Sequence, residues 1–405
     1  MSSNITLVGR KVGSFTILRK LGEGGMGAVY EAIDKETGRH VAIKFLHATY
    51  AHDEELLGRF FNEALASNSI DHPGMVRIFE SGMLDGETPY LVMEYLRGSS
   101  LEQRLASPEG RNGLPPREAL NVAWQTAAVL AELAQCGVVH RDLKPGNLML
   151  IPDAVATQGV RVKILDLGLA KLNRDLFVRA VHTRCGVVMG TPLYMSPEQC
   201  ADSSEVDSQA DVYSLGIVLF EMLAGQPPYN TACTRALLAL HMFAPVPRLE
   251  VAVPGVPAAL AELVTAMLGK LAAQRPTMAE VRDRLAALLA QPGALFTAKI
   301  PTASARDAML DKSARVAAEH AKTDIQTADS SDLAQTRRMV SADTVVRDTA
   351  LGLRPPSIPA ISERDLTAGF LRVSQTTLPL YQPQLARNPV LMWCLVCLVA
   401  ILMFM

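Results

Sequence analysis

The stretch Val138–Leu150, VVHRDLKPGNLML, places an arginine, an aspartate, a lysine and an asparagine in a short polar segment with apolar residues on both sides. Flanks of this kind, Val138-Val139 before and Leu148-Met149-Leu150 after, predict short buried strands that clamp the polar loop between them. The reading of the whole chain turns on what chemistry needs Asp142, Lys144 and Asn147 held rigid at that spacing.

The chain has 405 residues, enough for two or more domains and a large core. Its 39 basic and 41 acidic residues leave a formal net charge of -2, so no global field draws it to nucleic acid, and any charge-based recognition is local. Cys136, Cys185, Cys200, Cys233, Cys394 and Cys397 are scattered. The one CxxC pair lies inside an apolar run, where thiols are lipid-facing or core side chains rather than metal ligands, and a reducing compartment fits better than a disulfide framework. The opening residues, MSSNITLVGRKVG, hold no apolar stretch of the roughly 7–15 residues a secretory signal requires.

Composition changes twice along the chain. Between Val12 and Pro292 the strand-like runs FTILRKL, VAIKFL and YLVMEYL come first, and the helical patterns REALNVAWQTAAVLAELAQ, ADVYSLGIVLFEMLAG and PAALAELVTAMLGKL come after them. Strands before helices predict an α+β architecture, a small sheet-rich lobe joined to a larger helical one. Residues 293–388 turn to Ala, Ser, Thr, Asp, Arg and Pro, a composition that cannot bury enough apolar surface to fold and reads as a flexible linker. From Val390 to Met405 the chain carries no charge, and residues 389–405 are read as an apolar helix.

Working outward from the loop, LGEGGMGAVYEA spaces Gly22, Gly24 and Gly27 as GxGxxG, with Val29 two residues on. Such glycines let backbone N–H groups approach phosphate oxygens, but the same spacing opens dinucleotide folds and plain Gly-rich turns. A dinucleotide fold needs a helix next. Here strand, turn and strand come instead, so the glycines belong to a hairpin. In its second partner, VAIKF, alternation puts Ala42 and Lys44 on one face and Val41, Ile43 and Phe45 on the other. Lys44 is either a solvated edge lysine or a phosphate ligand under the glycine flap. In DEELLGRFFNEALASN, Leu56, Phe60 and Glu63 fall at i, i+4 and i+7; a glutamate on that apolar face wants a cation, and Lys44 is the candidate.

Phosphoryl transfer asks little covalent chemistry of a protein. Asp142 can accept a hydrogen bond from an attacking hydroxyl, Lys144 can stabilise the transferring group, and Asn147 offers Mg²⁺ a neutral oxygen. A second metal ligand is available in VKILDLGLAKL, where Asp166 ends an apolar strand; alone, an aspartate there would also serve as a turn cap.

HRDLKPGN, VAIK, GEGGMG and DLG, with GTPLYMSPE at Gly190–Glu198, resemble in this order the protein kinases, and specifically the bacterial Hanks-type serine/threonine kinases. The resemblance covers about two thirds of the chain, Val12 to Ala290, and implies a bilobal kinase fold over residues 12–292. It implies that Leu21, Gly22, Gly24, Gly27 and Val29 cover ATP and that Ala42 lines its pocket. Lys44 would bind the α and β phosphates and pair with Glu63. Met93 falls at the gatekeeper position, with Glu94 to Leu96 as the hinge. Asp142 would be the catalytic base, Lys144 its serine/threonine-type companion, and Asn147 and Asp166 the Mg²⁺ ligands. Arg141 would receive a phosphate from the activation segment, with Thr183 as the phosphorylated residue and Thr191 in the substrate platform. Asp211 would brace the HRD loop and Arg275 would pair with Glu198, both structural roles.

Two departures stand out: Leu167 replaces the usual phenylalanine of DFG, and Ser196 replaces the alanine of APE; neither removes a catalytic group. The insertion IPDAVATQGVR reads as a lengthened hairpin turn. The expected activity is ATP- and Mg²⁺-dependent transfer to serine or threonine hydroxyls of proteins, with autophosphorylation and a homodimer for reaction in trans. The alternatives are a pseudokinase scaffold, against which Lys44, Asp142 and Asp166 all stand, and a small-molecule kinase, against which the GTPLYMSPE platform stands. The apolar end is expected to be a single-pass tail anchor in the cytoplasmic membrane, with the kinase domain facing the cytoplasm. At about 1.5 Å per residue its sixteen residues reach roughly 24 Å, so spanning needs local thinning, and Arg387 can snorkel.

Overall fold

A computed structural model describes residues 7–167, 192–201, 206–231 and 233–291. Alternation builds the smaller lobe. Strands β1 (Lys11–Val12), β2 (Phe15–Glu23), β3 (Gly27–Asp34), β4 (His40–Leu46), β5 (Ile78–Leu84) and β6 (Thr88–Glu94) form one six-stranded sheet in the order β1-β2-β3-β4-β6-β5. Along β4, Val41, Ile43 and Phe45 join Val12, Ile17, Tyr30 and Ala32 in one apolar layer. Ala42 and Leu46 join Phe60, Ala64, Leu91 and Met93 in the other. The second layer lies against helix α1 (Glu54–Asn68), capped by Asp53, whose side chain accepts from Leu56 N at 3.0 Å. Glu54 and Glu55 in its first turn complement the helix dipole.

In the larger lobe, α2 (Leu101–Ala106), α3 (Pro116–Gln135), α4 (Pro197–Cys200), α5 (Gln209–Ala224), α6 (Thr234–Phe243), α7 (Leu249–Ala252), α8 (Ala258–Met267) and α9 (Met278–Ala290) succeed one another in chain order. Its small sheet, β7 (Ser99–Ser100), β8 (Leu148–Pro152) and β9 (Val160–Ile164), borders the segments that hold Asn147 and Asp166. Helix α5 is apolar on nearly every side and correspondingly buried. Gly216 allows its close packing on α8: a Cβ there would come within 3.0 Å of Met267 Cβ. Its end is set by Gly225, in the left-handed region at φ 79°.

The fold departs from the sequence reading in two places. Val138-Val139 form no strand; Val138 N donates to Leu133 O at 2.9 Å, closing α3. The helix expected over PAALAELVTAMLGKL stops at Met267. The insertion is a hairpin between β8 and β9, as expected. Gly168, Thr183, Thr191, the linker 293–388 and the apolar end 389–405 lie outside the described residues. Among the described residues no helix is long and apolar enough to cross a membrane.

Candidate active site

The glycine-rich segment is the turn between β2 and β3, where Gly24 N donates to Gly27 O at 2.8 Å. At Gly27 a side chain has no room: its Cβ would sit 2.0 Å from Phe45 O. Gly22 and Gly24 face open space, which leaves their backbone free to approach a ligand. Leu21 stands exposed beside them. Val29, Met26, Leu96 and Leu165 are partly buried against the layer that holds Ala42 and Met93, so the cleft has an apolar lining. Ala42 pairs with Met93 across β4 and β6, and Met93 lines a small cavity with Glu63, Leu91 and Asp166.

Lys44 sits between two carboxylates. Its Nζ lies 3.2 Å from Glu63 Oε1 and 2.8 Å from Asp166 Oδ1. The Lys44 and Glu63 side chains are only 14% and 5% exposed, whereas Asp166 is 42% exposed to the cleft. Burial works against the Lys44 charge, but the two carboxylates more than offset it and hold its pKa well above the ordinary lysine range. Burial likewise opposes ionisation of Asp166, and Lys44 wins, holding that carboxyl below its usual range. Glu63 is the weaker claimant: burial pushes it up to about 7 against the pull of Lys44. One cation shared by two anions is thus committed first to Asp166.

In the loop after α3, Asp142 Oδ2 accepts from Lys144 Nζ and from Asn147 Nδ2, each at 3.1 Å. Asn147 Nδ2 also donates to Asp142 O at 2.8 Å, which leaves its carbonyl oxygen for another partner. Asp211, buried in α5, accepts from His140 N at 2.8 Å and Arg141 N at 2.9 Å. His140, wholly buried, accepts from Asp142 N on Nδ1 (3.3 Å), so Nε2 carries the proton it gives to Leu165 O (3.1 Å). One imidazole therefore ties the loop of Asp142 to the segment of Asp166. Farther off, Arg275 meets Glu198 through two bonds of 2.7 and 2.8 Å.

The structure brings Lys44, Glu63, Asp142, Lys144, Asn147 and Asp166 to one cleft, and sets Glu198, Asp211 and Arg275 behind it. Sequence reasoning passed over three residues. Lys163 donates to Met75 O at 3.1 Å and pairs with Glu94, whose Oε1 also accepts from Arg77 N at 2.8 Å. The signal was a lysine in the apolar run VKIL, where a buried charge demands a partner. His140 gives no signal in the sequence beyond its place in HRDLKPGN. Gln199 Nε2 holds Arg141 O at 2.8 Å and offered no signal in sequence.

Residues 15–285 match the family model described as "Protein kinase domain". Serine/threonine-protein kinase Pkn1 of Myxococcus xanthus is 37% identical over 286 residues, covering 70% of this chain and 40% of Pkn1. PrkC of Bacillus subtilis (strain 168) is 36% identical over 260 residues, covering 64% of this chain and 38% of PrkC. The chain thus spans about two fifths of the length of these curated relatives. The crystal structure of the Mycobacterium tuberculosis PknI kinase domain superposes with a TM-score of 0.53 at 25% identity, over 69% of this chain and 98% of that one. On the matched family model and these relatives, the chain belongs to the protein kinase family, among its bacterial serine/threonine members.

Proposed function

We propose that this protein transfers the γ-phosphoryl group of ATP to serine or threonine hydroxyls of proteins. The observation that carries the reading is Lys44 held between Glu63 and Asp166, with Asp142, Lys144 and Asn147 grouped on the adjoining loop. The backbone of Gly22 and Gly24 covers the phosphates and Lys44 neutralises them from below. Asp142 orients the acceptor hydroxyl and takes up its proton as the new P–O bond forms, while ADP leaves with the electron pair of the broken one. Lys144, already against Asp142, supplies positive charge where the transferring group gathers negative charge.

The donor set fits Mg²⁺, a hard cation that favours oxygen. Asn147, its nitrogen spent on Asp142, keeps its amide oxygen, and Asp166 engages Lys44 through Oδ1 and shows the rest of its carboxylate to the cleft. When bound there, Mg²⁺ would neutralise phosphate charge. The test is mass spectrometry of a protein substrate incubated with the chain, ATP and Mg²⁺: phosphoserine or phosphothreonine that disappears with Asp142→Asn supports the assignment, and phosphate transfer persisting in that variant refutes it.

Regulation and location belong to the same proposal. Arg141, placed beside Asp142, would take up a phosphate at Thr183 delivered by a second copy of the chain, and mass spectrometry finding Thr183 unmodified in fully active enzyme would contradict it. Residues 389–405 would anchor the protein to the cytoplasmic membrane. If deleting them leaves fractionation unchanged, the anchor fails and the kinase assignment stands.

A further inference from the structure

A groove that shares no residue with the nucleotide cleft is left unexplained by phosphoryl transfer. It has room for about 230 Å³ and is lined by Trp124, Gln125 and Ala128 of α3, Val155 and Val162 of the β8–β9 hairpin, and His72. That volume is below the roughly 300–1,000 Å³ of pockets for whole small molecules, and suits one or two side chains. Its rim is fixed. Gln125 Nε2 donates to Val160 O at 2.9 Å, Val162 N donates to Gln125 Oε1 at 3.0 Å, and Asn121 Nδ2 donates to Thr157 O at 3.2 Å. On this rim Val155 is 92% exposed, an apolar side chain on a polar turn.

The end of the kinase fold leads to the groove. Leu289 O, in the last turn of α9, accepts from Arg117 Nη2 at 3.4 Å, and Arg117 O accepts from Gln158 Nε2 at 3.2 Å. The end of α9, the first turn of α3 and the tip of the hairpin therefore meet at Arg117. Arg117, Asn121, Trp124, Gln125 and Ala128 fall on one stripe of α3, which runs from this meeting point into the groove. At about 1.5 Å per residue, Trp124 and Ala128 lie roughly 10 and 16 Å along it. The chain beyond Gln291 reads PGALFTAKI, residues 292–300. Its first large apolar side chains, Leu295 and Phe296, come four and five residues on, within a reach of roughly 13–18 Å at about 3.3–3.6 Å per residue.

We propose that residues 292–300 of this same chain dock in the groove, burying Leu295 and Phe296 against Trp124, Ala128 and Val155. The start of the linker is then part of the folded kinase face, and the free tether begins only after Ile300. This holds whatever the chain phosphorylates.

The chain has two tryptophans, Trp124 and Trp393, so a full-length Trp393→Phe protein reports the groove by Trp124 emission alone. Adding Leu295→Asp and Phe296→Asp should raise acrylamide quenching of Trp124 by a factor of about two as a covered indole becomes open, and shift its emission to the red. A synthetic peptide of residues 290–302 added to that variant should restore the protection. Both substitutions lie beyond the last packed helix, so an unchanged melting temperature separates undocking from unfolding. Quenching that is the same with and without them overturns the proposal. So does protection of the parent protein that fades on dilution, which would assign the groove to a second copy.

Discussion

Replacing Arg275 with methionine keeps the apolar stem of the side chain and removes the guanidinium with every donor. All five N–H groups of Arg275 are used: Nε on Gly269 O (2.7 Å), Nη1 on Glu198 Oε1 (2.7 Å) and Gln209 O (2.8 Å), Nη2 on Glu198 Oε2 (2.8 Å) and Lys270 O (3.2 Å). The Arg275 side chain is wholly buried and Glu198 is 16% exposed, so Arg275→Met strands a carboxylate that water reaches poorly. Stranding one member of a buried pair costs roughly 3–5 kcal/mol, and three carbonyls that lose their donor press toward the upper end. With about 5–15 kcal/mol of total stability to draw on, this is a large fraction. At a urea m-value of about 3 kcal/mol/M the unfolding midpoint should fall by roughly 1–1.7 M.

Glu198→Leu added to Arg275→Met removes the stranded charge, and the double variant should regain at least about 2 kcal/mol over the single one. The pH dependence carries a sign. Burial opposes ionisation of Glu198, but Arg275 holds its carboxyl below the ordinary 4.5, so the pair stabilises above that pH and loses its effect as pH falls through the lowered value. The deficit of Arg275→Met should therefore shrink as pH falls below 4.5 and through that lowered value. A midpoint shift under about 0.3 M, or a double variant no more stable than the single, would refute the reasoning.

Lys44→Met and Asp142→Asn should each lower the phosphoryl-transfer rate to below roughly a tenth of wild type, measured by radiolabel transfer, because each group acts within one electrostatic unit. Asp142→Asn should leave the melting curve in place, whereas Lys44→Met strands Glu63 and should lower it. Lys163→Met frees Glu94 and Met75 O, loosening the hinge; KM for ATP should rise several-fold with kcat little changed, and Lys163→Arg should recover most of it. Glu221, pushed up to about 7 by burial, accepts from Tyr194 at 2.8 Å. Its protonated form is the one the fold favours, so its stabilising effect is full below the ordinary 4.5 and lost as pH rises through about 7. Urea midpoints of Glu221→Gln should lack that fall; identical pH profiles for both proteins would remove Glu221 as the cause.

What the sequence made legible was local. The alternation of VAIKF separated the two apolar layers correctly, and the i, i+4, i+7 spacing of Leu56, Phe60 and Glu63 put a glutamate on the buried face of α1 opposite Lys44. Both come from backbone period alone. What stayed hidden depends on partners distant along the chain. Lys163 shows no partner in the sequence because Glu94 lies 69 residues away. Val138-Val139 looked like a strand because two β-branched residues are the usual mark of one, yet the N–H of Val138 is spent on α3. The groove beside Trp124 exists only because the hairpin folds back on α3, and no spacing in the insertion announces that.

Backbone strain shows why residues with no part in the chemistry are buried so deeply behind it. Arg141 and Asp166, which lie beside Asp142 and Lys44 in the candidate site, hold positive φ angles of 65° and 40°. Such conformations cost side chains other than glycine about 1–3 kcal/mol, and they persist only where the surroundings over-determine them. Glycine would relieve the strain at either position, but would forfeit a guanidinium beside Asp142 or a carboxylate beside Lys44. The surroundings supply the constraint instead. Asp211 takes the N–H of His140 and of Arg141, Gln199 takes the carbonyl of Arg141, and the His140 ring joins Asp142 N to Leu165 O. Burial pushes the Asp211 carboxyl up, with His140 and the two N–H groups pulling the other way. A desolvated carboxylate of that kind is itself costly. It is retained because the loop geometry that sets Asp142 beside Lys144 and Asn147 cannot be held by local backbone preference.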